Sequence, residues 1–275
     1  MLRAELLKLR TVGSTWVALI VGAAGLLVTQ VLLVTLLPAI ANGTAFAGEA
    51  GISDGLGPMD TASAAFQYGA LNVFGASGAG GSIGIATIAV LALGVLAGTT
   101  DFRHGGIVGT ALARPRRWSI LGGKVAATAV AATVFGVVLS AIVVAVLLVT
   151  VWTGGGGLAL SAADIASSLL RGIVSVVLLA LIGLGIGVLV RGQLAAFITV
   201  GAVLVAEPVL QGIVGLVAGG VPFWARLLPV SLAQAGTADP ATSAGLPPVV
   251  ALIVLGGIAA AVVAGAGAAL RRRDL

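Results

Sequence analysis

Apolar residues run along this chain in blocks too long for soluble helices, and the few charged residues fall between the blocks. Uncharged runs cover residues 11–48, 61–100, 125–163, 172–190, 192–206, 208–225 and 240–270. A bilayer's hydrocarbon core is roughly 30 Å thick and takes about 20 helical residues at about 1.5 Å each. Six spans fit these runs: Trp16–Leu37, Gly81–Thr100, Val125–Val151, Gly172–Val190, one from Leu194 past Glu207, and Val249–Leu270. The pattern predicts an all-α polytopic membrane protein, with 1–275 as one transmembrane domain. Folding 61–100 as a hairpin of two short spans would place the cation-rich loop that follows on the outer side. The cation bias therefore favours one span there, with 61–78 as an outer loop or interfacial segment.

Composition agrees with the pattern. Of 275 residues, 59% are hydrophobic and 8% charged, and the mean hydropathy is +1.21. Soluble domains carry about 25% charged residues. So few charges exclude an internal ATPase, kinase or nucleotide-binding domain. Cysteine is absent and His104 is the single histidine, which leaves no disulfide, no thiolate chemistry and no predicted metal site.

Sidedness follows from Lys and Arg. The segments before span one, between two and three, between four and five, and after six hold 12 of the 14 cations. The other side keeps Arg171 and Arg226 and gathers Glu49, Asp54, Asp60, Asp164 and Asp239. The positive-inside rule predicts a multi-pass protein of the cell (inner) membrane with both termini cytoplasmic. The net charge of +5 is then a compartment bias, and no nucleic-acid partner is expected. The basic start, the apolar run and Ala45-Phe46-Ala47 imitate a signal peptide, but an apolar stretch of over 20 residues predicts a retained first span.

Two segments stand out at the predicted cytoplasmic face. Residues 1–13 place leucines at 2, 6 and 9 on one helical stripe, with Arg3, Lys8 and Arg10 away from it and Glu5 among them. This predicts an interfacial helix in contact with membrane lipid, or a basic tail that only sets topology. Residues 101–124 form the one sizeable cytoplasmic loop. It mixes Ile107, Val108, Leu112, Trp118, Ile120 and Leu121 with charge, and Pro115 breaks it at 114–115. Such a loop predicts a docking surface, or a segment lying in the headgroups. Gly122-Gly123-Lys124-Val125 imitates the end of a phosphate-binding loop, but Trp118 occupies the first glycine position and Val125 the Ser/Thr position.

Glu207 is the one carboxylate expected inside a span, followed by Pro208. It predicts either a group lining the translocation path or a helix end, with 208–228 as a re-entrant segment before the last span. Arg171, at the mouth of span four, needs only to snorkel. Glycines at 80, 84, 183, 185 and 187 permit close helix approach, but in a chain with 42 glycines the spacing carries little weight.

The Glu-Leu-x-Lys-Leu-Arg-Thr start, Asp101–Gly105 closing span two, Thr-x-Leu-Ala-x-Pro-Arg-Arg at 110–117, Lys124 opening span three, and Leu228-Pro229-Val230-Ser231 together resemble the permease subunits of ABC-2 type transporters. The likeness is to the actinobacterial drug and antibiotic exporters and extends to the six-span layout. Asp101 stands where glutamate is commoner, and Gly106 where threonine is usual. The resemblance implies a dimer of permeases, alike or similar, bound to two copies of a separately encoded ATPase that carries the ATP and Mg. No cofactor is expected on this chain, and no catalytic residue.

It further implies a coupling element positioned by Asp101, Phe102, Arg103, His104 and Gly105 and flanked by Arg114, Arg116, Arg117 and Trp118, with Arg3, Glu5, Lys8 and Arg10 at the same interface. The implied cargo is a hydrophobic or amphipathic small molecule, lipid or peptide, moved outward. Competing readings are a scaffold or immunity-type protein without turnover, and a secondary transporter using Glu207. A membrane-embedded enzyme has too few polar groups in the spans to build on.

Overall fold

The computed structural model describes residues 2–44, 57–75, 84–103, 117–154, 156–241 and 245–272, and among these it is all-helical. Helix α1 (Leu2–Thr11) ends at an extended Val12, and α2 (Gly13–Gln30) begins directly after it. A π-helical turn, Val31–Leu36, carries α2 into α3 (Leu37–Ala41), so the chain stays helical from 13 to 41. Pro38 explains the wider turn: it offers no N–H to the preceding one, and a π-bulge is one way a helix absorbs such a gap.

The remaining elements are α4 (Ala64–Ala70), α5 (Ile85–Arg103), α6 (Arg117–Thr153), α7 (Ala162–Val190), α8 (Gln193–Ala218), a 3₁₀ turn at Phe223–Leu227, α9 (Pro229–Thr237) and α10 (Pro248–Arg272). Among the described residues, five helices are long and apolar enough to cross a bilayer: Gly13–Ala41, Ile120–Thr153, Ala162–Val190, Gln193–Val217 and Pro248–Leu270. Ile85–Thr100 is apolar but shorter. The chain is a helical, multi-pass membrane protein by these lengths and compositions.

Charge misplaced several helix ends. The fourth predicted span begins at Gly172, but α7 starts ten residues earlier, at Ala162. Ser161 and Asp164 form a reciprocal capping box there, which satisfies first-turn amides that would otherwise have no acceptor. The predicted 101–124 loop is shorter than expected, because Asp101–Arg103 extend α5 and α6 resumes at Arg117. The predicted 208–228 segment is not one element: α8 continues through Pro208 to Ala218 and stops at Gly219, whose φ of 71° suits a residue without a side chain. The chain then returns through the 3₁₀ turn and α9.

Helix α7 is the centre. It packs against α5, α6, α8, α9 and α10, and Val176, Leu179, Ala180 and Leu184 are fully enclosed. Its seam with α5 is made of backbone. A β-carbon at Gly94 would lie 2.0 Å from the Ala180 carbonyl oxygen, and one at Gly98 would lie 2.6 Å from that of Leu184. Reciprocally, Gly183 faces Leu91 O at 2.5 Å and Gly187 faces Val95 O at 2.9 Å. Two small-xxx-small motifs thus interlock, and a larger residue at any of the four meets immovable main chain. Gly185, on the other side of α7, receives Val262 of α10. The glycines at 183, 185 and 187 therefore serve packing within the chain, together with Gly94 and Gly98.

The segment expected as an outer loop or at the interface is buried from Ala70 to Phe74. Leu71, Val73 and Phe74 are 1%, 0% and 3% exposed, with Val73 seated on Gly172 of α7. Two glutamines hold the segment. Gln67 accepts from Ala159 N and donates to Gly157 O, while Gln30 of α2 donates to the carbonyls of Ala70 and Asn72. Hydrophobic side chains closed off from both water and lipid need those polar pins, because main chain in an apolar surround must be paired.

Gly94→Ala is expected to lower stability by about 1–3 kcal/mol, the range for overpacking a tight core. Gly257→Ala, where a β-carbon meets nothing within 4 Å, should leave stability unchanged or raise it. Thermal melting of both variants in detergent, read by size-exclusion chromatography, checks this. Equal melting temperatures would remove the backbone seam from the account.

Candidate functional site

Besides a hollow of about 350 Å³ lined by Thr35, Asn42, Thr44, Thr61, Thr150 and Thr153, three places stand out among the described residues. The first lies where α1 meets the end of α5 and the start of α6, the helices on either side of 104–116. Glu5 is the pivot. Its Oε1 lies 3.0 Å from Lys8 Nζ, one turn along α1, and its Oε2 lies 3.5 Å from Lys124 Nζ of α6. Lys124 is 5% exposed and also donates to the Ala97 carbonyl of α5 at 3.2 Å. A small cavity beside these groups is lined in part by Thr100, Ala127 and the buried hydroxyl of Thr128. Beneath them Leu9 and Val125 pack on Ala97, Leu121, Leu184, Val188, Ala266 and Leu270.

The predicted coupling residues divide accordingly. Asp101, Phe102 and Arg103 form the last turn of α5, and Arg117 and Trp118 begin α6. His104, Gly105, Arg114 and Arg116 lie outside the described residues. On α1, Arg3 and Arg10 are exposed as expected, but Lys8 turns toward Glu5 and the protein. Lys124, which sequence reasoning treated as the opening of a span, sits seven residues inside α6 and joins three helices. The available signal was a lysine flanked by apolar helix on both sides, since a buried ammonium needs a partner.

The second place is a lateral cleft of about 330 Å³ between α2, α5 and α8. Val17, Val21, Ile85, Ile88, Ala92 and Phe197 line it, with Ser14 and Gln193 at one end and no charged side chain. Volume and lining fall in the range of sites that take apolar small molecules.

The third is Glu207, 3% exposed. Its carboxylate accepts from the backbone N–H of Val230 at 3.1 Å and of Ser231 at 2.6 Å, and from the Ser231 hydroxyl at 2.6 Å. These amides are in the first turn of α9, where no intrahelical carbonyl is available and where the helix dipole favours an anion. One turn further along α8, Gln211 donates to Ala225 O and to the Ser231 hydroxyl. Glu207 therefore lies inside α8, not at its end, and its carboxylate is taken up by three donors. It is the cap of α9, supplied from α8, and it fixes the returning segment against the helix it came from.

Arg171 reaches back rather than out, donating to Ser167 O and Ala238 O. Near it, Tyr68 bonds Asp164, and burial together with the charges of Asp164 and Asp239 pushes its phenol above the usual tyrosine value, so it stays protonated. No group of three or more His, Cys, Asp or Glu able to hold a metal occurs among the described residues. Compared with known protein families, curated proteins and solved structures, the chain matches none.

Glu207→Ala is expected to destabilise the protein by about 1–3 kcal/mol, the cost of leaving buried donors without an acceptor. Glu207→Gln, which keeps one accepting oxygen, should lose less. Melting temperatures in detergent order the three proteins, and a Glu207→Ala variant as stable as wild type would contradict the capping role.

Proposed function

We propose that the chain is the permease subunit of an ATP-driven exporter of the ABC-2 type. In this reading it crosses the cell membrane six times, both termini are cytoplasmic, and it works as a pair with a second permease copy. A separately encoded ATPase, in two copies, supplies the energy. The short helix α5 is the sixth crossing: its glycine face is spent on α7, and its other face, with Ile85, Ile88 and Ala92, opens on the cleft.

One observation carries the proposal. At a single end of an apolar bundle, α1 is docked beside the last turns of α5 and the first turns of α6, and the connection between those helices, 104–116, carries Arg114 and Arg116 between Arg103 and Arg117. Energy delivered to that connection acts directly on α5, and α5 forms one wall of the apolar cleft. A change in loop position that the ATPase favours in one of its states would then alter the cleft. Cargo that fits such a cleft is hydrophobic or amphipathic.

The alternative of a secondary transporter working through Glu207 is weakened by that residue's engagement with α9. A scaffold without turnover is the remaining competitor.

Copurification with a separately encoded ABC ATPase, sought among the neighbouring reading frames, followed by efflux from vesicles, separates them. Arg103→Glu and Arg116→Glu should each cut ATPase association and ATP-driven efflux. Ile88→Trp, which fills the cleft, should cut efflux and spare association. Efflux and association that survive both charge reversals would end the assignment of 101–117 as the coupling element.

A further inference from the structure

Building on the permease reading, we infer that Glu5 and Lys124 form a latch that opens and closes, holding α1 to α5 and α6 in one state and releasing it in the other. The geometry around each ion carries the inference. Lys124 Nζ touches Glu5 of α1 and the Ala97 carbonyl of α5 from its own place on α6. Ala97 lies four residues before Asp101, and Lys124 seven residues after Arg117. The contact therefore spans the two helices that enter 104–116, and it registers any change in their spacing.

Each ion also has a second partner. Glu5 keeps Lys8 at 3.0 Å when Lys124 leaves, and Lys124 keeps the Ala97 carbonyl when Glu5 leaves. A buried pair that strands neither member on separation has two workable arrangements, which is what a switching element requires. The interhelical arm is the weaker one. Its 3.5 Å exceeds the roughly 2.7–2.9 Å of a close charge-assisted bond. The leucines of α1 do not decide between the states. Leu6 and Leu9 are half-buried, while Leu2 and Leu7 are 41% and 60% exposed, so acyl chains can receive all four when α1 is released. The Glu5–Lys124 contact adds to the docked state what acyl chains cannot replace. Lys124 is a positioning residue in this scheme and touches no cargo.

The test uses the full-length chain in lipid nanodiscs, with amide hydrogen exchange over residues 2–12 as one readout and ATP-driven efflux with the partner ATPase as the other. Glu5→Gln and Lys124→Met should each speed exchange in α1 by about tenfold or more, because exchange follows the population of the released state. Glu5→Gln lies on a partly solvated helix and keeps the fold testable if Lys124→Met does not assemble. Lys8→Met removes the alternative partner of Glu5 and should leave exchange unchanged or slower.

E5L/K124M replaces the ion pair with apolar contact, which can match or exceed a buried pair in stability. It should regain protection of α1 without regaining efflux, since an apolar contact has no second arrangement. Exchange at the wild-type rate in both single variants would overturn the latch, and so would recovery of efflux as well as protection in E5L/K124M. Absence of efflux in every protein, wild type included, would count against the permease reading alone, and the exchange rates would still decide whether the ion pair holds α1.

Discussion

The approach of α5 to α7 along paired glycines sets the distances on which the rest of the bundle depends. Inside a bilayer, lipid tails are as apolar as leucine, so burying side chains gives two helices little reason to meet. Backbone contact gives them one. With Gly94 and Gly98 against Gly183 and Gly187, main chain meets main chain, and dispersion together with weak Cα–H···O contacts acts over several turns. α5 is held by this seam, which frees its opposite face for the cleft with α2 and α8. α7 in turn uses Gly185 to receive α10, so one helix organises both sides of the molecule.

Around that frame, the scarce polar groups are joined to backbone far away in sequence. Glu207 takes the amides of residues 230 and 231, Gln67 those of 159 and 160, and Lys124 the carbonyl of 97. In a low-dielectric surround an unpaired donor or acceptor is costly, so Glu207 and Gln67 settle where main chain is left open, at a helix N-terminus and at the non-helical stretch 156–160. Lys124 instead shares the Ala97 carbonyl, inside α5, with that helix. The same rule distinguishes two carboxylates. Glu207 is enclosed and supplied by three donors, whereas Glu5 is partly solvated and shared between two lysines.

Much of the architecture was legible in the hydropathy pattern. Five of the predicted spans fall on helices long enough to cross a bilayer, and the described part of the other, from Ile85, is a shorter apolar helix, because a long apolar run has few alternatives to helix in a bilayer. The ends were less legible where charge was used to mark them. Arg171 lies within α7, because a long cation can reach backbone or solvent without ending its helix, and α6 already begins at Arg117. Residues 71–74 read as interfacial, and their burial depends on Gly172 and two distant glutamines. Of the candidate site, the part legible beforehand was the location, an amphipathic start and a cation-rich connection at one end. Lys124 as a shared contact and the cleft between α2, α5 and α8 were not.

The division has a physical basis. Hydropathy is a property of each residue taken singly, and it adds along the chain. Summed over this sequence it determined a helical, multi-pass membrane protein. A hydrogen bond or an ion pair is a property of two groups, and here the partners stand 23 to 119 residues apart. Only the tertiary structure brings them within reach. It alone decided that Glu207 caps a helix, that Gly94 and Gly183 belong to one seam, and that Glu5 meets Lys124.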